Sequence, residues 1–157
     1  LIRNVVFALG VNDVMEASDG QAALEEMKSI RPDMVLCDLK MDPMGGMEFV
    51  RKLRADADNL NRFVPVIMIT AYAELDTVAD ARDSGVNEFM AKPISAAALE
   101  KRFRRVMEDQ RAFVEAPEFA GPDRRRGKKT GFGGSERRET PATFLSNPKA
   151  APSKGGS

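Results

Sequence analysis

Apolar residues recur every three or four positions in several segments of this chain, and shorter, mostly apolar stretches lie between them. The first spacing predicts amphipathic helices, and a short apolar stretch is typical of a strand in a covered sheet. The most hydrophobic stretch runs from Val64 to Thr70 and predicts an interior strand. We predict helices at 1–9, 21–30, 47–55, 74–84 and 95–110, and strands at 11–17, 33–38, 64–70 and 86–90.

Residues typical of helix ends stand at the boundaries of these segments. Asp19 and Ser95 precede two of the predicted helices, and their side-chain oxygens can accept hydrogen bonds from the first free N–H groups. Gly10 and Gly85 follow two others, where a glycine commonly ends a helix.

The alternation of strands and helices predicts an α/β fold, a doubly wound parallel sheet with helices on both faces. In such sheets the chemistry lies at the carboxyl ends of the strands. Asp38, Thr70 and Lys92 all fall at predicted strand ends. We therefore expect a carboxylate, a hydroxyl and an ammonium group to meet at one edge of the sheet.

The last quarter of the chain has a different composition. From Pro117 onward Gly, Pro, Ser and basic residues dominate, with nine Lys and Arg against four acidic residues, a net charge of +5. Because the whole chain contains 24 basic and 24 acidic residues, the preceding part carries −5. We predict one folded domain over 1–111 and a basic, disordered tail over 112–157. Several interpretations of this tail stay open. It is a flexible extension, a partner-docking segment or an electrostatic contact for nucleic acid, or its Arg124–Arg126 run folds back on the acidic body.

Composition excludes several classes of function. The chain has no histidine, which excludes histidine-ligated metal sites, Ser-His-Asp hydrolysis and a histidine phosphocarrier role. The single cysteine, Cys37, cannot form an internal disulfide and fits a reducing cytoplasm. No apolar run approaches 18 residues, so we expect no membrane span and a cytoplasmic location.

Five segments of the chain are informative through their order and spacing: Glu16-Ala-Ser-Asp-Gly20, Pro32-Asp-Met-Val-Leu-Cys-Asp38, Met41-Asp-Pro-Met-Gly-Gly46, Val64-Pro-Val-Ile-Met-Ile-Thr-Ala71 and Ala91-Lys-Pro-Ile94. Together they resemble the receiver domain of response regulators, the chemotaxis-type single-domain form in particular. The resemblance covers roughly 1–111 and implies a flavodoxin-like five-stranded parallel sheet whose first strand is missing from this chain, because the chain begins inside the first helix.

The resemblance implies a role for individual residues. Asp38 is the expected phosphoacceptor, since a carboxylate can attack phosphorus to form an acyl phosphate, with Thr70 and Lys92 contacting phosphoryl oxygens. Phe89 and Tyr72 are the expected switch aromatics. The backbone N–H of Ala71 is expected to contact the phosphoryl group, and Pro93 is expected to follow a cis peptide bond.

Magnesium is the cofactor that the resemblance implies, held by Asp38 and the backbone carbonyl of Lys40. The acidic pair that completes the family's site is absent from this chain, so we expect weak magnesium binding here. Asp42 stands where the family has a proline, and we expect it to be a solvated loop carboxylate.

The resemblance implies a response regulator that takes a phosphoryl group from a histidine kinase or phosphotransfer protein and switches a surface for an unknown downstream partner. Such a protein is not an enzyme beyond assisting its own phosphorylation and dephosphorylation. One alternative is a phosphorylation-independent interaction module. Another is an aspartyl-nucleophile phosphohydrolase, although Lys40 replaces the second aspartate that those enzymes favour two positions after the nucleophile.

Overall fold

A parallel sheet with helices on both faces forms the body of the protein. The computed structural model describes residues 2–71, 85–109, 113–116, 119–122 and 143–145. The elements are α1 (Ile2–Ala8), α2 (Gly20–Glu26), β1 (Val35–Asp38), α3 (Gly46–Ala55), β2 (Val66–Thr70), β3 (Glu88–Ala91), α4 (Ala96–Met107), β4 (Phe113–Ala116), β5 (Phe119–Pro122) and β6 (Thr143–Leu145). The helix predicted at 74–84 lies outside these residues.

The local signals at the helix ends act as predicted. The Asp19 carboxylate accepts hydrogen bonds from the N–H groups of Gln21 and Ala22 at the start of α2. The Ser95 hydroxyl accepts one from Ala98 at the start of α4. Gly10, just beyond α1, has a φ of 85°, in the left-handed region that glycine adopts without strain.

The strands β1, β2 and β3 pair in parallel, in that order. One face of the sheet packs through Cys37, Val66 and Met68 against α2 and α3, and we call this packing the α2/α3 core. The other face packs through Ile67 and Met90 against α1 and α4, which is the α1/α4 core. Covering on both faces explains why these strands are continuously apolar, and it confirms the doubly wound α/β prediction.

The prediction of a strand at 11–17 is wrong, because this segment forms no ladder. A groove of about 1030 Å³ separates it from the outer edge of β1, and its walls include Val11 and Val14 on one side and Leu36 on the other. A strand forms only where a neighbour accepts its hydrogen bonds. The parallel sheet in the described part of the chain therefore has three strands rather than the four predicted.

A second sheet lies within the segment predicted to be disordered. Strands β4, β5 and β6 pair antiparallel in the order β5-β4-β6. These eleven residues form strands although they lie in the segment for which the sequence predicts a disordered tail. Strand β6 pairs with β4, from which residues 117–142 separate it along the chain, so local periodicity does not reveal this ladder.

A buried arginine network holds the amino end of β3 to α3. Arg54 is 1% exposed, and its guanidinium donates to the carbonyl oxygens of Gly85 and Arg62 and to Asn87 Oδ1. Burial, followed by the nearby charge of Arg62, lowers the pKa of Arg54 to about 9, so it stays protonated at neutral pH. Asn87 Oδ1 also accepts from the N–H of Val66, which ties the network to β2.

Among the described residues, no helix has the length and apolar character that a membrane span requires.

Candidate functional site

The three polar residues predicted at strand ends lie at the same edge of the parallel sheet. Asp38 is the last residue of β1 and Thr70 the last of β2, while Lys92 directly follows β3. Asp38 pairs in register with Ile69, and Thr70 pairs with Ala91. The Lys92 N–H donates to the Thr70 carbonyl at 2.8 Å, which extends the ladder by one residue.

The Asp38 carboxylate receives two hydrogen bonds. Lys92 Nζ donates to Oδ2 at 2.6 Å and forms an ion pair with it. The Lys40 backbone N–H donates to Oδ1 at 3.2 Å. The side chains of Asp38 and Lys92 remain 35% and 45% exposed, so a reactant can reach the carboxylate from solvent.

Thr70 is placed beside this pair but is buried. Only 2% of the residue is exposed, and its hydroxyl donates to the carbonyl oxygen of Ala71 at 3.2 Å. Ala71 itself is exposed. The Thr70 hydroxyl therefore lies at the carboxyl edge of the sheet, one residue beyond Ile69, which pairs with Asp38.

The backbone after β1 folds tightly onto the sheet edge. The Leu39 N–H donates to the Ile69 carbonyl at 2.8 Å, and the Gly46 N–H donates to the Leu39 carbonyl at 3.0 Å. A Cβ added at Gly46 would lie 2.3 Å from the Asp38 carbonyl oxygen. Gly46 therefore lets α3 begin directly against the backbone of Asp38.

Gly46 is a close-packed position of the candidate site that the sequence analysis missed. The pair Gly45-Gly46 belongs to a recognised segment, but glycine pairs also mark ordinary loops. Only the contact with Asp38, together with Met68 Sδ at 2.8 Å from the built Cβ, shows that Gly46 has no room for a side chain.

The predicted switch aromatics have different outcomes. Phe89 lies in β3 opposite Met68 and is half-buried against the α2/α3 core. Tyr72 lies outside the described residues. The predicted cis peptide bond between Lys92 and Pro93 is present, and a second cis bond joins Asp42 to Pro43. Asp42 is exposed, as expected of a solvated loop residue.

Cys37 adjoins Asp38 but is not a competing nucleophile. Its side chain is buried in the α2/α3 core, and its thiol donates to the Asp38 carbonyl at 3.4 Å. Burial, and then the charge of Asp38, raises the pKa of the Cys37 thiol to about 12. The thiolate is therefore almost absent at neutral pH.

The described residues offer few ligands for a metal ion. They contain no group of three or more carboxylate, cysteine or histidine side chains arranged around one point. Asp38 and the Lys40 carbonyl are oxygen donors, and magnesium commonly takes one or two carboxylates while water and phosphate oxygens supply the rest. The donor set is thus of the right chemistry for magnesium but small.

The arrangement suits attack by a carboxylate on a phosphoryl group. Asp38 supplies a solvent-accessible oxygen nucleophile, and the Lys92 ammonium can neutralise charge on the transferred group. Thr70 supplies a hydroxyl donor at the same edge. Such groups could serve phosphoryl transfer, in which positioning and charge neutralisation contribute most of the rate.

Comparison with known proteins gives a consistent family assignment. The family model described as the response regulator receiver domain matches residues 1–104. The chemotaxis protein CheY-3 of Vibrio cholerae is 34% identical over 108 residues, which cover 69% of this chain and 82% of that protein. The chemotaxis protein CheY of Pseudomonas aeruginosa is also 34% identical over 108 residues, covering 69% and 86%.

Solved structures give the same result. The receiver domain of a sensor histidine kinase from Pseudomonas aeruginosa, described with a magnesium ion in its active site cleft, superposes with a TM-score of 0.59 at 30% identity, covering 67% of this chain and 84% of that one. The chemotaxis protein CheY4 of Vibrio cholerae superposes with a TM-score of 0.59 at 27% identity, covering 67% and 85%.

Proposed function

Because the chain belongs to the response regulator receiver domain family, we propose that Asp38 accepts its phosphoryl group, from a histidine kinase or histidine phosphotransfer protein. The chain is a phosphoacceptor response regulator of a two-component system. The observation that carries the assignment to Asp38 is the 2.6 Å ion pair between its carboxylate and Lys92 at the accessible carboxyl edge of the sheet.

In the proposed transfer an Asp38 carboxylate oxygen attacks the donor's phosphorus. The new bond joins this oxygen to phosphorus, the phosphorus–nitrogen bond of the donor breaks, and its electron pair returns to the donor imidazole. Lys92 then moves its charge from the carboxylate to a phosphoryl oxygen. Later a water oxygen attacks the phosphorus, the bond between phosphorus and the Asp38 oxygen breaks, inorganic phosphate leaves, and the carboxylate is restored.

Magnesium is the proposed cofactor, and when bound it supplies positive charge that offsets the phosphoryl oxygens. Asp38 and the Lys40 carbonyl are the described residues that would hold it. Support comes from the oxygen donors of this site and from the magnesium described in the related receiver domain.

The proposed output is a change of surface in which Thr70 turns toward the phosphoryl group and Phe89 repacks. The Ala71 N–H would contact a phosphoryl oxygen, and Tyr72 would belong to the altered surface. Phe89 is suited to this role because it is only half-buried at the edge of the α2/α3 core. A local charge change would then shift the balance between two conformations of a partner-binding surface.

We also propose that the protein works in the cytoplasm, where its buried Cys37 thiol stays reduced. Its chemistry there is limited to assisting the gain and loss of its own phosphoryl group. A downstream partner then reads the altered surface.

Intact-mass spectrometry tests the assignment of Asp38. The full-length natural protein is incubated with acetyl phosphate and magnesium beside two variants, Asp38→Asn and Asp42→Asn. We expect one phosphoryl adduct on the wild type and on Asp42→Asn, and none on Asp38→Asn. The Asp42→Asn variant is a matched control because it removes an exposed carboxylate from the same loop.

Other results would each point elsewhere. An adduct on Asp38→Asn would place the phosphoryl group on another residue. No adduct on the wild type would favour a phosphorylation-independent interaction module. Steady release of phosphate from a phosphomonoester would favour an aspartyl-nucleophile phosphohydrolase, which Lys40 argues against.

A further inference from the structure

The second sheet is not isolated from the body of the protein. Cα atoms of β5 lie within 8 Å of Cα atoms of α3. Two residues of β5, Gly121 and Pro122, are buried. This sheet begins beyond residue 104, where the match to the receiver family ends, so the family assignment gives it no role.

The helix that β5 contacts begins at the proposed phosphorylation site. Its first residue, Gly46, leaves no space for a Cβ beside the Asp38 carbonyl oxygen. Its buried face is formed by Phe49, Val50 and Leu53, each 1% exposed or less, which fix α3 to the sheet. A close-packed helix transmits a displacement rather than absorbing it, because such packing leaves no free volume.

Strand β5 approaches α3 through its backbone, with Cα atoms of the two elements within 8 Å of each other. The sequence of β5 is Phe-Ala-Gly-Pro, without a charged residue. On α3, Glu48 and Lys52 form an ion pair with each other at 3.0 Å.

We propose that the sheet formed by β4, β5 and β6 is an intramolecular clamp on α3 that prolongs the lifetime of the phosphoryl group on Asp38. The clamp restrains α3, and α3 restrains the backbone of Asp38 through Gly46. Release of the clamp would loosen the loop around Asp38 and admit water to the acyl phosphate. This proposal rests on phosphorylation of Asp38 as the proposed function.

The test measures phosphoryl lifetime on the full-length natural protein and three variants. Gly121→Asp introduces a charge at a buried position of β5, and a truncation after Asp109 removes the sheet altogether. Ala97→Asp introduces the same charge at an exposed position of α4 and is the matched control. After phosphorylation and removal of acetyl phosphate, intact mass follows the loss of the adduct, and hydrogen exchange follows peptides of α3.

We expect Gly121→Asp and the truncation to shorten the half-life by about fivefold or more, a typical size for coupling between two sites. The α3 peptides of both should exchange faster, and Ala97→Asp should match the wild type. If Gly121→Asp fails to fold, the truncation still decides the outcome. An unchanged or longer half-life would overturn the clamp while leaving phosphorylation intact. An absent adduct on the wild type would overturn both proposals, and the mass spectrum distinguishes the two cases.

Discussion

At the scale of single residues, we expect the ion pair between Lys92 and Asp38 to contribute little to stability and more to the proposed phosphoryl transfer. Both side chains are more than one-third exposed, and ion pairs in solvent contribute only about 0–1 kcal/mol to folding. An ammonium group beside the attacking oxygen is instead positioned to meet the charge of an incoming phosphoryl group. Substitution of Lys92 should therefore lower the rate of phosphorylation and leave the free energy of unfolding almost unchanged.

We expect Lys92→Gln to slow phosphorylation of Asp38 by about tenfold or more, because one charge-neutralising donor is lost. Its free energy of unfolding should change by less than about 1 kcal/mol. Lys101→Gln, at an exposed position of α4, is the control and should change neither quantity. Phosphorylation is followed by intact mass and stability by urea denaturation; equal rates for both variants would contradict the role of Lys92.

The Cys37 thiol should make the folded protein less stable in alkali. Its folded pKa of about 12 exceeds the ordinary value of 9.0, so the unfolded chain loses its proton first as pH rises. Stability from the neutral thiol is complete below pH 9 and falls progressively between 9 and 12. We expect the unfolding free energy of Cys37→Ala to decline less steeply than that of the wild type from pH 9 upward, measured in urea. Parallel declines would contradict the raised pKa.

At the scale of secondary structure, α3 links the two ends of the parallel sheet. Its amino end meets Asp38 through Gly46, and its carboxyl end holds Arg54 in the network with Gly85 and Asn87. One helix therefore positions both the proposed phosphoacceptor and the amino end of β3, the strand that leads to Lys92. Two substitutions on α3 test these two contacts separately.

A methyl group at Gly46 should damage the fold and the site together. The added Cβ would lie 2.3 Å from the Asp38 carbonyl oxygen, and overpacking of this kind costs about 1–3 kcal/mol or more. Gly45→Ala is the matched control, because its Cβ would lie 3.4 Å from the nearest oxygen. Urea denaturation should show a loss of that size for Gly46→Ala and a clearly smaller one for Gly45→Ala; the reverse order would refute the close contact.

Removal of the buried guanidinium should destabilise the other end of α3. Arg54→Met leaves the carbonyl oxygens of Gly85 and Arg62 and the side chain of Asn87 without this donor, and we expect a loss of about 2–4 kcal/mol. Arg51→Met changes an exposed arginine of the same helix and should stay within about 0.5 kcal/mol of the wild type. Chemical denaturation measures both, and similar stabilities would show that the network contributes little.

At the scale of the whole molecule, the chain divides into a body built on the parallel sheet and an extension that contains the antiparallel sheet. The body has two cores, one on each face of the sheet, and every described residue of these cores precedes the end of α4. The match to the receiver family ends within α4, at residue 104. The boundary predicted at residue 111 therefore stays a prediction that truncation can test.

A protein ending at Asp109 should unfold in one cooperative transition. Both cores remain in it, so circular dichroism should retain the helical signal, while loss of the contact between β5 and α3 should lower the urea midpoint. A broad, non-cooperative transition would show that the extension belongs to the folding unit.

The sequence alone was sufficient for features that depend on local order. Apolar spacing predicted the described helices and the strands β1 to β3, because a helix or a buried strand must repeat its apolar positions at a fixed interval. The caps at Asp19 and Ser95 bond to N–H groups within three residues. The position of Asp38 and Lys92 at one edge of the sheet also followed from the alternation of strands and helices along the chain, since the carboxyl ends of parallel strands lie together.

Only the tertiary structure decided features that depend on distant contacts. Segment 11–17 has strand-like composition but forms no ladder, because a groove separates it from β1, the outer strand of the described parallel sheet. Nothing local in the sequence distinguishes Arg54 from a surface arginine. Its buried position depends on hydrogen bonds to Gly85 and Asn87, which lie more than 30 positions away. Gly46 against Asp38 and β5 against α3 are likewise products of packing. Periodicity records which face of an element is apolar, but not which distant atoms that face will meet.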